Sequence, residues 1–259
     1  MTSLEDSAAL LRGITELSGN IVFFGGAGVS TESGVPDFRS ESGLYNAGRV
    51  YGYPPEQLLS RSFFESKPEL FFQYYKENLV HPSAKPNKAH IALAALEREG
   101  RLKAVVTQNV DGLHQAAGSR NVLELHGSGL RNYCVGCGAE YSLDYILDAH
   151  NCEIFVPKCR ECGGTVRPRI VLYEESLDDI VTRAASKAIS AADCVIVGGT
   201  SLAVYPAAGL LRFFRGSSLV LINKTQTPYD TSANLVIRES IAQVMGRAFE
   251  TIINNREST

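Results

Sequence analysis

The hydrophobic and polar positions of the chain follow two alternating patterns. Short aliphatic runs at residues 21–24, 104–106, 194–197 and 219–222 each end at a polar or glycine-rich turn. Such runs are typical of the buried strands of a parallel sheet. Apolar residues at helical spacing lie between them and predict helices over residues 88–99, 177–191, 207–214 and 241–253. The alternation predicts an α/β fold with a parallel sheet.

Two stretches interrupt this alternation of strands and helices. Residues 43–81 are rich in tyrosine and phenylalanine, and residues 131–169 hold five of the six cysteines. We interpret both stretches as insertions into the α/β framework.

The start of the chain and its charge bear on location and partners. Leu4, Leu11, Ile14 and Leu17 fall near one face of a predicted helix, whose early acids differ from the basic start of a secretory leader. No apolar run approaches the roughly 20 residues that span a bilayer. A net charge of -3 argues against broad nucleic-acid binding. We expect a cytoplasmic protein that binds neither membranes nor nucleic acid directly.

Two C-x-x-C pairs, separated by 21 residues, predict a metal site: Cys134, Cys137, Cys159 and Cys162. A glycine follows each pair and permits the tight turn that lets two thiolates hold one tetrahedral ion. The alternatives are two disulfides or unrelated buried cysteines. Paired motifs in a chain expected in a reducing compartment favour zinc. Four thiolates leave no open position, so we expect the zinc to be structural.

Small and polar side chains follow each predicted strand: Gly26, Ala27, Gly28, Ser30, Gln108, Asn109, Asp111, Gly199, Thr200, Ser201 and Asn223. Ligands of open α/β sheets bind where the carboxyl ends of parallel strands meet. The first loop begins like a dinucleotide-binding turn, but Thr31 stands where that fingerprint has its third glycine. The loops together predict a dinucleotide site. An acid about 20 residues after the glycines, which would hold the adenine ribose in a dehydrogenase, is missing. Asn223 is the better ribose ligand, and this argues against standard hydride transfer.

His126, in the stretch LELHGSG, is the candidate general base. Histidine titrates near neutrality and can accept a proton from a hydroxyl group. The alternative is a buried histidine whose hydrogen bonds are purely structural.

Several motifs occur in the order seen in the sirtuin family. They are GAGVSTESGVPDFR, TQNVDGLH, LHG, the two C-x-x-C pairs, GTSL and the IN that ends the fourth predicted strand. No single motif is specific, but the ordered set is. Over nearly its full length the chain resembles a bacterial NAD-dependent protein-lysine deacylase.

The resemblance implies two domains. A Rossmann-like NAD-binding domain would comprise residues 1–42, 82–128 and 170–259. A small domain would combine a helical module at residues 43–81 with a zinc-ribbon module at residues 129–169. NAD and an acyl-lysine protein or peptide, bound as an extended segment, would meet in the cleft between the domains.

The resemblance also implies roles for single residues. Asp37 would hold the nicotinamide carboxamide, Phe38 would shield the ribose after nicotinamide leaves, and Ile241 would lie against the adenine. His126 would be the base, with Asn109 and Asp111 as further catalytic residues. The nicotinamide-ribose pocket would be shaped by Arg39, Gln108, Asn109 and Asp111. The pyrophosphate and adenosine would contact Gly26, Ala27, Gly28, Ser30, Gly199, Thr200, Ser201 and Asn223.

The implied reaction consumes NAD as a co-substrate. The acyl oxygen attacks C1′ of the nicotinamide ribose, nicotinamide leaves, and His126 deprotonates a ribose hydroxyl. Water then releases lysine and O-acyl-ADP-ribose. The alternatives are a mono-ADP-ribosyltransferase of the same fold and a non-catalytic NAD-binding or zinc-ribbon interaction module. His126 and the other occupied polar positions favour the deacylase.

Two departures from the family pattern concern the substrate. Tyr173 and Glu174 replace the Phe and Gly of the F-G-E segment that pairs with the peptide in many sirtuins. In the aromatic insertion, Phe72 and Tyr75 occupy the places of the Tyr-x-x-Arg of desuccinylases. An acidic acyl group buried without a cation would be costly. We therefore predict a preference for acetyl or longer apolar acyl groups. Nearby Lys76 is the residue most able to overturn this prediction, because it carries a positive charge.

Overall fold

The computed structural model describes residues 3–37 and 50–254. Within these residues the strands, in chain order, are β1 Ile21–Gly25, β2 Leu102–Thr107, β3 Val122–Glu124, β4 Gly127–Cys134, β5 Glu140–Ser142, β6 Cys152–Glu153, β7 Val156–Pro157, β8 Val166–Ile170, β9 Cys194–Gly198, β10 Ser218–Ile222 and β11 Leu235–Ile237. Six of them form a parallel sheet in the order β11-β10-β9-β1-β2-β3. The predicted α/β fold with a Rossmann-like sheet is confirmed.

The α-helices of the same residues are α1 Leu4–Glu16, α2 Pro55–Leu58, α3 Arg61–Ser66, α4 Pro68–Asn78, α5 Lys88–Arg98, α6 Leu113–Ala116, α7 Leu143–Leu147, α8 Asp179–Ala191, α9 Ile241–Ala248 and α10 Glu250–Asn254. Side chains of β1 alternate between two buried clusters, because successive residues of a strand point to opposite faces. Phe23 packs with α1, α5 and α9, whereas Val22 and Phe24 pack with α8. The sheet is therefore covered on both faces.

Several predicted elements differ in detail from the observed ones. Apolar spacing continues across residues 241–253, but the segment divides into α9 and α10 at Phe249. Residues 207–214 form a 3-10 helix, Ala207–Phe213. Leu17 was expected on the buried face of the first helix, but it follows the last residue of α1 and is 91% exposed. The helix ends before its apolar pattern does.

A third hydrophobic cluster lies apart from the sheet. It joins the aromatic side chains of α3 and α4 to residues of the cysteine-rich segment, such as Cys134, Ile146 and Val166. Strands β5-β4-β8 form a three-stranded antiparallel sheet there, and β6 pairs with β7. The two insertions therefore share one core. Among the described helices, none is both long enough and apolar enough to cross a membrane.

Candidate active site and metal centre

The ends of the six parallel strands lie in register at one edge of the sheet. Gly25 at the end of β1 pairs with Thr107 on one side and with Gly198 on the other. The chain proceeds outward from β1 through β2 and β3 in one direction, and from β9 through β10 and β11 in the other. The boundary between β1 and β9 is therefore the topological switch point, where open α/β sheets bind ligands.

The two loops at the switch point are joined by their main chains. The N–H of Gly28 donates to the carbonyl oxygen of Gly199 at 2.8 Å, and the N–H of Gly26 donates to that of Gly198 at 3.2 Å. A Cβ on Gly28 would lie 2.8 Å from the Gly199 Cα, so a side chain there would force the backbones apart. Gly199 has φ +58, a left-handed conformation that favours glycine.

This arrangement changes which groups can face a phosphate. The N–H groups of Gly26 and Gly28 already donate to main-chain carbonyls across the switch point, so they are not available to a phosphate. Among the described residues, the N–H groups of Ala27, Thr200 and Ser201 donate to nothing. These three groups are donors of the kind that hold phosphate oxygens at a loop edge.

Ser30 connects the first loop to the loop after β2. Its hydroxyl is fully buried and donates to Asp111 Oδ2 at 2.6 Å, while Asn109 Nδ2 donates to Ser30 Oγ at 3.1 Å. Gln108 Nε2 donates to Thr200 Oγ1 at 3.1 Å and so connects the second loop to the third. The structure therefore brings together the predicted residues of three loops through one hydrogen-bonded network.

His126 stands beside this network, two residues after the end of β3. Its Nδ1 lies 2.9 Å from the carbonyl oxygen of Gln108. Because a carbonyl only accepts, Nδ1 carries the proton in the neutral ring and Nε2 presents a lone pair. Burial lowers the pKa of His126 below its usual 6.5, and the bond to Gln108 opposes this only in part. The neutral ring, which can accept a proton, is therefore the ordinary form near pH 7.

The other predicted residues of the edge lie in different settings. Asn223 follows β10, and its amide nitrogen donates to the Thr225 carbonyl and hydroxyl, at 3.0 and 3.2 Å. Its amide oxygen accepts no bond within the described residues and can face a ribose hydroxyl. Ile241, at the start of α9, is only 4% exposed and packs onto Gly198. Its contact with adenine stays a prediction.

The three residues expected around nicotinamide and its ribose, Asp37, Phe38 and Arg39, are described only in part. Asp37 is half-buried and is the last residue before the gap. Phe38 and Arg39 lie outside the described residues.

The four cysteines of the C-x-x-C pairs converge. Their Sγ atoms all lie within 4.8 Å of one another, and none of the four is in a disulfide. The Cys134 and Cys162 sulfurs are 3.4 Å apart, and those of Cys137 and Cys159 are 3.6 Å apart. Four thiolates at about 2.3 Å from one zinc ion would be about 3.8 Å from each other. The cluster therefore fits a structural zinc ion.

The surroundings of the cluster also suit a metal. Gly138 and Gly163, which follow the two pairs, have φ +77 and +74, as the turn hypothesis requires. The Tyr141 hydroxyl lies 3.0 Å from Cys159 Sγ, and this hydrogen bond lowers the pKa of the Cys159 thiol. Metals bind the thiolate, and the Tyr141 hydroxyl can donate a hydrogen bond to that form of Cys159.

Two further histidines, His90 and His114, lie near the site. His90 and His114 are buried with ring centroids 4.8 Å apart, and burial lowers their pKa values to about 4 and about 3. His90 Nδ1 accepts from the N–H of Asn87, in the manner of a capping box at the start of α5. The N-x-x-H spacing was the available signal.

Known proteins resemble this chain in sequence and in fold. The model of the Sir2 family matches residues 26–206. The chain belongs to the Sir2 family. An "NAD-dependent protein deacetylase" of Clostridium perfringens (strain 13 / Type A) is 58% identical over 248 residues, which are 95% of this chain and 100% of that relative. One of Cutibacterium acnes (strain DSM 16379 / KPA171202) is 55% identical over 89% of this chain and 92% of its own length.

Solved Sir2 structures have the same fold. A Sir2 structure with a deacetylated p53 peptide and 3′-O-acetyl ADP ribose superposes with a TM-score of 0.85 at 38% identity, over 93% of this chain and 97% of that one. A Sir2 complex with a p53 peptide and NAD+ gives a TM-score of 0.81 at 38% identity, over 93% and 96%. The resemblance to sirtuins that the motifs indicated is confirmed.

Proposed function

We propose that this chain removes acetyl or other apolar acyl groups from protein lysine. It consumes NAD and produces nicotinamide, free lysine and O-acyl-ADP-ribose. The observation that carries the proposal is His126, a neutral base whose Nδ1 is fixed by the Gln108 carbonyl and whose Nε2 lone pair is available beside the loops of the switch point. The relatives and the ligand-bound Sir2 structures support the same activity.

Different residues at this edge of the sheet bind different parts of NAD. In this proposal the free N–H groups of Ala27, Thr200 and Ser201 hold the pyrophosphate, and Asn223 holds the adenine ribose. Gln108, Asn109 and Asp111 form the wall of the nicotinamide-ribose pocket. Ser30, which was expected to contact the pyrophosphate and adenosine, supports this wall instead through its bonds to Asn109 and Asp111. Asp37, Phe38 and Arg39 keep the roles that the sequence resemblance implies.

The chemistry then needs one proton acceptor. Attack of the acyl oxygen on C1′ of the nicotinamide ribose releases nicotinamide. His126 Nε2 takes the proton from a ribose hydroxyl, whose oxygen attacks the acyl carbon. Water completes the release of lysine and O-acyl-ADP-ribose. Cys134, Cys137, Cys159 and Cys162 hold a structural zinc ion that stabilises the third cluster.

The preference for apolar acyl groups is part of the proposal. Phe72 and Tyr75 are buried, and neither offers a positive charge to an acidic chain. The Lys76 ammonium lies 3.2 Å from Cys152 Sγ, in the cysteine-rich segment. Lys76 is the nearby cation that could have paired with an acidic acyl chain, and its ammonium group already contacts another residue. We expect a higher kcat/KM for an acetyl-lysine peptide than for the matched succinyl-lysine peptide, and faster desuccinylation would refute the preference.

A single assay distinguishes the candidate activities. The protein is mixed with NAD and a panel of acyl-lysine peptides, nicotinamide release is followed, and the products are identified by mass spectrometry. We expect free lysine peptide with O-acyl-ADP-ribose. ADP-ribosylated protein instead would establish the transferase alternative. NAD binding without nicotinamide release would establish the non-catalytic alternative.

The division into domains is also a proposal. Two clusters cover the faces of the main sheet, and the third joins both insertions, which supports a large domain and a small domain with the boundaries given above. Binding of the peptide as an extended segment in the cleft, a cytoplasmic location and the lack of nucleic-acid binding stay predictions.

A further inference from the structure

The segment after β8 makes an unusual turn. The N–H of Glu175 donates to the carbonyl oxygen of Leu172 at 3.0 Å, which closes a four-residue β-turn. Glu174, the third residue of this turn, has φ +75. That position in such a turn favours glycine, because a side chain is strained in the left-handed region. A glutamate here needs a compensating contact.

The Glu174 side chain makes that contact with the helical segment that comprises α2, α3 and α4, residues 55–78. Its two carboxylate oxygens accept hydrogen bonds from the N–H and the hydroxyl of Ser62, both at 2.9 Å. Ser62 lies in the first turn of α3, where N–H groups have no partner within the helix. We call these two bonds the Glu174 clamp. They offset the strain of the turn, because a carboxylate is a strong acceptor at this end of a helix.

The main chain of the turn supports the same junction. The N–H of Tyr173 donates to the Leu59 carbonyl, and the N–H of Arg61 donates to the Tyr173 carbonyl, both at 3.0 Å. The clamp therefore adds side-chain bonds to a short parallel bridge between the turn and the helical segment.

The other end of this segment is fixed beside the candidate base. The N–H of Val171 donates to the carbonyl oxygen of His126 at 2.9 Å. Glu175 binds the Arg167 guanidinium at 2.8 and 3.1 Å and also accepts from the N–H of Leu172 at 2.8 Å. Residues 171–175 thus connect His126 to the helical segment, and hydrogen bonds fix both ends of this stretch.

We infer that Glu174 is a positioning residue for the acyl-lysine substrate. The clamp holds the helical segment at a fixed distance from the strand end that carries His126. Val171, which is hydrogen-bonded to His126, precedes Glu174 by three residues, so a substrate that reaches His126 would lie close to this junction. In this inference the clamp therefore affects the fit of the peptide and not the chemistry. The inference rests on the proposed function for the identity of the substrate.

The test compares three variants at one position. Glu174→Ala removes the clamp, and Glu174→Gly removes it and also relieves the turn. Glu174→Gln keeps one acceptor oxygen for the Ser62 N–H and offers an amide NH2 group that the Ser62 hydroxyl can accept from. We measure kcat, the KM for NAD, the KM for an acetyl-lysine peptide, and the Kd of a fluorescent acetyl-lysine peptide by anisotropy. We expect Glu174→Ala and Glu174→Gly to raise the peptide KM and Kd at least about fivefold, with kcat and the NAD KM within about twofold of wild type. Glu174→Gln should stay within about twofold of wild type for every parameter.

Two results would overturn the inference. Wild-type peptide binding in Glu174→Gly would show that the turn needs no clamp. A fall in kcat together with equal rises in the KM for NAD and in the KM for the peptide would show a general structural defect. If the Glu174 variants do not fold, Ser62→Ala gives the answer. It removes the hydroxyl bond of the clamp and a 3.2 Å contact with the Ser60 hydroxyl but keeps the N–H bond, and it should raise the peptide Kd about twofold. Unchanged peptide binding in Ser62→Ala would then contradict the clamp. The anisotropy measurement needs no turnover, so an inactive wild-type protein would refute the proposed function without deciding this inference.

Discussion

The cysteine cluster and the edge of the main sheet are assembled in opposite ways. The cluster takes four ligands from two short motifs, and both motifs lie within one antiparallel module. The edge takes its residues from loops far apart along the chain. The bond between Ser30 and Asp111, for example, spans 81 positions.

The difference predicts how each region fails. The cluster depends on four equivalent atoms around one point, so the loss of a single ligand removes the metal and the local fold with it. The edge depends on the register of six strands, so a single change there alters binding or chemistry while the sheet persists. Four experiments compare the two regions, starting with the largest expected effect.

Replacing a zinc ligand should have the largest effect. We expect Cys159→Ser to lose zinc, unfold the segment around the cluster and abolish deacylation, because metal binding and folding are coupled. Zinc content, hydrogen exchange over residues 129–169 and peptide turnover measure this. Cys152→Ser is the matched control, since Cys152 lies outside the cluster, and it should keep its zinc and its turnover. Full zinc occupancy in Cys159→Ser would refute the assigned ligand set.

Removing the base should affect chemistry alone. We expect His126→Ala to lower kcat/KM for the acetyl-lysine peptide by roughly 100- to 10,000-fold, the range of general-base catalysis. Its zinc content and melting temperature should match wild type. His150→Ala is the control, because His150 is exposed in the cysteine-rich segment. Unchanged deacylation in His126→Ala would refute both the base and the mechanism.

Separating the glycine loops should weaken NAD binding. In Gly28→Ala the new Cβ meets the Gly199 backbone at 2.8 Å, so the two loops must move apart. We expect the KM for NAD to rise about tenfold, or ~1.4 kcal/mol, with unchanged zinc content. Gly13→Ala is the control, because a Cβ there meets nothing within 4 Å and alanine favours the helix. An NAD KM equal to wild type in Gly28→Ala would place the dinucleotide elsewhere.

The pH dependence should show the smallest effect. Burial lowers the pKa of His126 below 6.5, so the ring becomes protonated only at more acidic pH. The neutral form is the base, and kcat/KM should therefore rise with pH through a midpoint below 6.5 and be level above it. The test measures kcat/KM between about pH 5 and 8 for the wild type and for His126→Ala. The variant should lack the rise of kcat/KM at acidic pH. A midpoint above 6.5 would contradict the assigned environment.

The sequence predicted the elements whose signal is local. The runs at residues 21–24 and 194–197 became β1 and β9, each with one further glycine, and the four metal ligands follow from spacing alone. Strand β11, a run of three residues, was not predicted. The division at Phe249 was missed, since the apolar spacing continues through it.

The parts of the site that depend on tertiary contacts could not be predicted. The sequence places Gly26 and Gly28 in a phosphate loop, but their N–H groups donate to the carbonyls of Gly198, the last residue of β9, and of Gly199. Only the register of β1 and β9 brings those carbonyls within reach. Glu174 is a similar case, because nothing in the residue type indicates a left-handed conformation. Its partner Ser62 is 112 positions away.

The main-chain bonds between the glycine loops have a thermodynamic consequence. A dinucleotide that contacts Ala27 on one loop and Thr200 on the other binds only while β1 and β9 remain paired. NAD would then stabilise the folded sheet by linkage, by about 2.7 kcal/mol when its concentration is 100 times its Kd. The stability of the six-stranded sheet would thus depend on the supply of the substrate that the enzyme consumes.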